Sequence, residues 1–251
     1  MFQINNTLFI GKVLLEKAKL DSTNNYGMNL AKTGEFIEGT VIYTPHQTAG
    51  KGQRGSQWIS EAGQNINLSI LFKPHSVIQH QFWLNKAIAL GIYRFAKAIL
   101  GTKIKIKWPN DLYYENKKLG GVLIENIITG TKITASVIGI GINVNQTVFA
   151  PHLPNPISFK EIQTQSFDIP SLISQLCQSI EATYLLYKSE KFQIIQKNYL
   201  AALYRFKQTH AYQTPKGVLL AQIIAVNENG QVVLQTADQQ YSFNKKEIQY
   251  I

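Results

Sequence analysis

Among its 251 residues this chain has one cysteine, two methionines and fifteen acidic side chains. A single thiol, Cys177, excludes an intramolecular disulfide. No cluster of Cys and His has zinc-ligand spacing, so a structural metal is not expected either. The chain also lacks any apolar run of about 18 residues, the length a membrane-spanning helix needs. Its start, Met1-Phe2-Gln3-Ile4-Asn5-Asn6, has no basic segment followed by an apolar one, and a cytoplasmic location with no membrane partner is the expectation that remains. Acidic residues are outnumbered by 25 Lys and Arg, for a formal charge of +10. That charge suits a nucleotide substrate, an acidic protein partner or nucleic acid. The cations are scattered apart from Lys103, Lys105, Lys107 and the pairs Lys117-Lys118 and Lys245-Lys246, so no basic arm is present and nucleic acid is the secondary reading.

What is present is an ordinary soluble composition, 45% hydrophobic and 16% charged, long enough for one large domain and a small one. After Asp21-Ser22-Thr23-Asn24 a helix runs to about Lys32, capped by one of those polar residues and weakened by Gly27. Val41-Ile42-Tyr43 reads as a short strand. Residues 65–72 alternate, with Ile66, Leu68, Ile70 and Phe72 on one face of a strand. Residues 81–100 carry apolar side chains at helical spacing, and residues 103–108 alternate again. Two β-branched runs, 121–128 and 132–144, are separated by Thr129-Gly130-Thr131 and predict a hairpin. Residues 168–204 are mostly helical, with Pro170 in the first turn. Beyond residue 205 short strands at 218–226 and 231–236 flank the turn Asn227-Glu228-Asn229-Gly230. The fold class predicted is α+β, a mixed or antiparallel sheet with helices on one face followed by a small β domain. The domain division falls at 1–204 and 205–251.

Chemistry concentrates in two stretches. The first is Gly50-Lys51-Gly52-Gln53-Arg54-Gly55-Ser56-Gln57-Trp58, with glycines, two cations and an indole, which suits an anionic, ring-bearing ligand. Its glycines satisfy Gly-x-Gly-x-x-Gly, yet a dinucleotide fingerprint must open a helix, and here a strand follows within a few residues. A purely structural turn is the plain alternative. The second stretch is Lys107-Trp108-Pro109-Asn110-Asp111, leading to Lys118-Leu119-Gly120-Gly121. Two lysines on the strands flanking one loop can hold a carboxylate and phosphates in a shared cleft. A rigid proline turn with a packed indole accounts for the same residues, and both readings can hold together.

In combination these stretches resemble the biotin protein ligases over residues 21–145, with a weaker echo in the β tail. The resemblance is to a short form without an N-terminal DNA-binding domain. It implies a class II synthetase-like, lipoate-ligase-like catalytic domain and a C-terminal SH3-like barrel. It implies biotin contacts from Ser22, Thr23, Asn24, Gln47, Gly50, Lys51, Gly52, Gln53, Trp58, Lys118 and Gly121. Contacts to ATP or the adenylate are implied for Lys51, Gln53, Arg54, Trp58, Lys107, Asn110 and Asn143, and a metal role for Asn143 with Asp111. Lys118, Arg54 and Lys107 are the implied catalytic cations. The substrates implied are biotin and ATP with Mg²⁺, and the implied partner is the biotin carboxyl carrier domain of a carboxylase. Two departures stand out: the family's usual basic residue is Gln53 here, and Lys51 stands where arginine is frequent. A homodimer is compatible with the resemblance, whereas specific DNA binding is not expected. Lipoate or octanoate ligation on the same fold, and nucleic-acid binding without catalysis, are the rival functions.

Overall fold

The computed structural model describes residues 2–251, with Arg54 described by its backbone alone. β1 (Leu14–Glu16) leads into α1 (Thr23–Thr33), and then come β2 (Val41–Tyr43), β3 (Asn65–Phe72) and the two-residue β4 (Ser76–Val77). Ser22 starts α1 by accepting a hydrogen bond from the Asn25 N–H at 3.4 Å, and Gly34 ends it with φ +74°. Gly27, the weak point of this helix by propensity, has a packing reason. A Cβ there would stand 2.9 Å from Val137 Cγ1 and 3.3 Å from Ile42 and Leu71, so glycine lets α1 lie close on the sheet.

The long helix α2 (Gln81–Leu100) coincides with the apolar periodicity. After it the chain forms β5 (Ile104–Lys107), β6 (Asp111–Tyr114), and the hairpin of β7 (Lys117–Thr129) with β8 (Lys132–Asn143), turning at Gly130. These strands make one mixed sheet in the order β1-β2-β3-β8-β7-β6-β5, with β4 also on β8. β1 and β2 are parallel and the other pairs antiparallel. α3 (Phe159–Gln163) is short, and α4 (Ile169–Lys188) and α5 (Phe192–Ala202) split the predicted single helical stretch at residues 189–191. Asp168 caps α4 through the Ser171 N–H at 2.9 Å, with Pro170 in its first turn.

Alternation along the central strands sorts their side chains. Ile66, Leu68 and Ile70 of β3 and Ile138, Ile140 and Ile142 of β8 pack with α2, α4 and α5 in the main core. Each such fully buried aliphatic side chain contributes about 2 kcal/mol. Facing the other way, Leu71 and Val137 join Ala31 of α1 and Ile42 in a smaller cluster. Helices α2, α4 and α5 therefore share one face of the sheet, and α1 lies on the opposite face beside the site.

A second, antiparallel sheet follows: β9 (Thr209–Thr214), β10 (Gly217–Val226), β11 (Val232–Gln235), β12 (Gln240–Phe243) and β13 (Gln249–Tyr250), in the order β12-β11-β10-β9-β13. It is docked on α2 through its β10–β11 turn. Trp108 Nε1 donates to Gly230 O at 3.0 Å, and Lys86 Nζ to Val226 O and Asn227 O at 3.2 Å each. Gly230 sits on the Phe82 ring, where a Cβ would come within 2.3 Å.

Candidate active site

On the α1 side of the sheet, three neighbouring strands carry little bulk. Gly139 and Gly141 lie two apart on β8 and so share a face. Their cross-strand partners are Ser69 and Asn67 on β3, and Leu123 and Gly121 on β7. Small side chains in two adjacent rows leave a hollow. α1 and residues 50–58 wall it into a cavity of about 340 Å³.

The α1 end of this cavity is polar and tightly wired. Ser22, Thr23 and Asn24 are buried there. Gln47 Oε1 accepts from the Thr23 N–H at 2.8 Å and from Thr23 Oγ1 at 3.2 Å. Ser69 Oγ lies 2.8 Å from Thr23 Oγ1 and 2.6 Å from Asn24 Oδ1, and Asn24 Nδ2 donates to Glu125 Oε2 at 2.9 Å. The space above Gly139 is where Asn24 sits: a Cβ at 139 would be 2.2 Å from its Oδ1. Such a fixed set of amides and hydroxyls can offer hydrogen bonds to a small polar group.

The glycine loop is a small hairpin, with Trp58 N–H donating to Gly50 O at 2.9 Å and Gly52 N–H to Ser56 O at 2.7 Å. Its tip, Gln53–Gly55, is a single 3₁₀ turn that closes on Gly55 at φ +85°, and β3 is the next regular element. No helix follows Gly55, which removes the dinucleotide-fold reading. The loop is seated on the sheet by Gln53 Nε2, which donates to Asn110 Oδ1 and to Val122 O at 2.8 Å each. The indole of Trp58 donates to Asn67 Oδ1 at 2.9 Å.

At the other end the cavity is cationic. Lys51, Lys118, Lys245 and Lys246 line it against one carboxylate, Asp111, among the described residues. Lys118 Nζ is 3.0 Å from Asp111 Oδ1. Four ammonium groups and one carboxylate form a site for an anion. An adjoining cleft of about 550 Å³ contains Lys107, Tyr113, Tyr204, Arg205 and Tyr250, and Asp111 and Lys245 belong to both spaces. Lys107 Nζ is 3.1 Å from Tyr113 Oη and 4.8 Å from the ring centres of Tyr113 and Tyr250. Burial lowers the Lys107 pKa, Asp111 opposes that shift, and Lys118 and Arg205 add to it. The same burial raises the Tyr113 pKa to about 12.

The first cavity thus brings together Ser22, Thr23, Asn24, Gln47, Lys51, Gly52, Gln53, Trp58, Asp111, Lys118 and Gly121. Lys107 faces the adjoining cleft instead. Asn110 is buried behind the loop, donating to Asn85 Oδ1 at 2.7 Å, and reaches the cavity only through Gln53. Gly50 forms the base of the hairpin. Asn143, two residues beyond Gly141 on β8, is also buried, with its Nδ2 donating to Ile157 O at 3.1 Å, and is not among the residues lining the cavity. The Arg54 side chain lies outside the described residues. No three His, Cys, Asp or Glu side chains gather to hold a metal ion among the described residues.

Sequence reading passed over Asn67, Ser69, Glu125, Gly139, Gly141 and Lys245. The two glycines left a usable signal, since Gly-x-Gly inside a strand puts both on one face and opens a hollow there. Lys245 left none, because nothing local ties residue 245 to residue 53.

A model of the biotin/lipoate A/B protein ligase family matches residues 17–143, just over half of the chain. The chain belongs to this family. Among curated members, the biotin–[acetyl-CoA-carboxylase] ligase of Mycobacterium tuberculosis is 30% identical, over 70% of this chain and 66% of that one. The bifunctional ligase/repressor BirA of Bacillus spizizenii is 25% identical, over 92% of this chain and 72% of its own length. The biotin protein ligase from Aquifex aeolicus, solved in complex with biotin and ATP, superposes with a TM-score of 0.78 at 22% identity, covering 95% of this chain and 98% of that one. At that identity the superposition establishes a common fold. No helix among the described residues is long and apolar enough to cross a membrane.

Proposed function

We propose that this protein activates biotin with MgATP to biotinyl-5′-adenylate and transfers the biotinyl group to a lysine of a biotin carboxyl carrier domain. The observation that carries this reading is the polarity of one cavity: hydrogen-bonding amides and hydroxyls at one end, lysines at the other, and Trp58 between them. A ureido ring at the first end directs a carboxylate toward the second.

A carboxylate is a weak nucleophile toward a polyanion, so charge must be offset before its oxygen can attack the α-phosphorus and expel pyrophosphate. Lys118 in the cavity, Lys107 from the adjoining cleft and Arg54 on the loop serve that purpose. The donor set does not suit a resident metal: among the described residues Asp111 is the one carboxylate lining the cavity, it is paired with Lys118, and no three His, Cys, Asp or Glu side chains gather. Magnesium therefore enters with ATP as substrate, and no step runs through a protein-held ion. The glycine loop and Trp58 keep water from the mixed anhydride until the acceptor amine attacks the acyl carbon, loses its proton and releases AMP. Asp111 is engaged in an ion pair with Lys118 at 3.0 Å.

Lipoate is the rival acyl group within the family. Ser22, Thr23, Asn24 and Gln47 already bond one another and their neighbours, and a ureido group adds donors and an acceptor to that polar set whereas a dithiolane ring adds none, which favours biotin. The test incubates the purified protein with a carrier domain, ATP, magnesium and either biotin or lipoate, and reads pyrophosphate release and streptavidin blotting. Biotin-dependent release with a labelled carrier is expected. Release with lipoate alone would overturn the reading, and salt-sensitive oligonucleotide binding without ATP turnover would favour a nucleic-acid protein.

A further inference from the structure

Resting on the function proposed above, we propose that Lys245 is a phosphate-binding residue of the activation site, delivered to it by the second sheet. The side chain lines both the ligand cavity, which Lys118 also lines, and the adjoining cleft, and Asp111 borders the two spaces with it. Its Nζ donates to Gln53 Oε1 at the tip of the glycine loop, 192 residues away in sequence. That acceptor is an amide oxygen, which receives the hydrogen bond and carries no charge. The ammonium is thereby held at the loop where an anion is to be enclosed.

The backbone around Lys245 is set by local hydrogen bonds. Asn244 N–H donates to Glu247 Oε2 at 2.6 Å, and Glu247 N–H to Asn244 O at 2.9 Å, making a closed turn between β12 and β13. The sheet bearing this turn is anchored to the catalytic layer at Trp108, Lys86 and Phe82, and Tyr204 N–H donates to Ile106 O at 2.8 Å. Lys245 is thus held over the loop by a docked sheet. When a phosphate enters, its oxygens replace Gln53 as acceptor, and the same lysine then ties the second sheet, the loop and the intermediate together. The second sheet is in this view a wall of the active site.

The test compares the parent with Lys245→Met and Lys245→Arg in biotin-dependent pyrophosphate release, resolving KM for ATP from KM for biotin, and in trapping of released adenylate. Lys245→Met is expected to raise KM for ATP roughly 10- to 100-fold with KM for biotin unchanged within about twofold, and to release adenylate faster. Lys245→Arg is expected to restore most of the loss, because the charge is kept. Parental kinetics in Lys245→Met, or equal loss in both variants, would overturn the assignment. If the parent itself shows no biotin-dependent release, the function proposed above falls, and that outcome is distinct from a parent that turns over alongside an unaffected variant.

Discussion

The indole of Trp58 occupies the hollow above Gly141. A Cβ at 141 would stand 2.4 Å from Cε2 and 2.7 Å from Cζ2, while the indole N–H holds Asn67 Oδ1 at 2.9 Å on the next strand. The missing side chain of one strand and the aromatic side chain of the loop are a matched pair, and the loop closes flat because of it. Gly141→Val is accordingly expected to lift the indole and weaken biotin binding by about 10-fold or more, the equivalent of a modest overpacking cost. Calorimetric titration with biotin checks this, and parental affinity would detach the contact from ligand binding.

Lys118→Ala is expected to cut the rate of biotin-dependent pyrophosphate release by about 10²- to 10³-fold, as for loss of one electrostatic contact at a developing charge. Asp111→Asn, which leaves the ammonium in place and removes its partner at 3.0 Å, should cost far less. A parental burst in Lys118→Ala would take that lysine out of the reaction.

The alkaline limb of kcat/KM for ATP reports on Lys107. Burial places its pKa below the ordinary 10.5, so its charge, and with it the phosphate contact proposed for it, should be lost at a lower pH than for an exposed lysine. Lys107→Arg keeps the charge and should move that limb to higher pH. An identical limb in both proteins would mean another group titrates there.

Lys86 is fully buried, and burial lowers its pKa to about 8 from 10.5, with Glu228 opposing the shift. Between those two values the unfolded chain binds more protons than the folded one, so this lysine makes stability rise with pH across the window and adds no slope below it. Buried tyrosines with raised pKa values, such as Tyr113, act in the opposite sense once pH passes about 10. Urea unfolding at about pH 7.5 and about pH 9.5 should therefore show a gain in the parent that Lys86→Met lacks. Equal pH dependence in the two would contradict the shift.

At Gly91 α2 and α4 come into close contact, since a Cβ would lie 2.8 Å from Ile180 Cα and 2.7 Å from Thr183 Oγ1. Gly91→Ala should destabilise the protein by about 1–3 kcal/mol in urea titration, because backbone on the facing helix must move. A change under about 0.5 kcal/mol would show that the helices separate freely.

Much of this architecture was legible locally. The bounds of α2, the β7–β8 hairpin and the core strand β3 follow from periodicity and a glycine turn, which depend on side chains a few residues apart. β1, β6, β9, β12 and β13 were not read, being short and dependent on a neighbouring strand for their pairing. The split between α4 and α5 was also missed: Glu190 takes φ +52° in a stretch whose composition continues as helix. In the candidate site, the motifs contain residues at the α1 end, on the loop and at Lys118 that the fold brings around one cavity. They placed Lys107 and Asn143 in the same cluster, whereas Lys107 lies in the adjoining cleft and Asn143 is turned toward Ile157.

Residue order alone settled the inventory: a cation-rich α+β chain whose glycine loop, Ser-Thr-Asn turn and Lys-Trp-Pro-Asn-Asp segment mark a ligase family, since each is a short-range pattern. Which of those residues share a space depended on strand register and on docking between sheets. Register sets Gly121 beside Gly141, and the missing side chain at Gly141 makes room for Trp58, while packing of the second sheet on α2 carries Lys245 to Gln53. Contacts between residues so far apart in sequence have no local pattern to announce them, because they form only once the buried faces have chosen their partners.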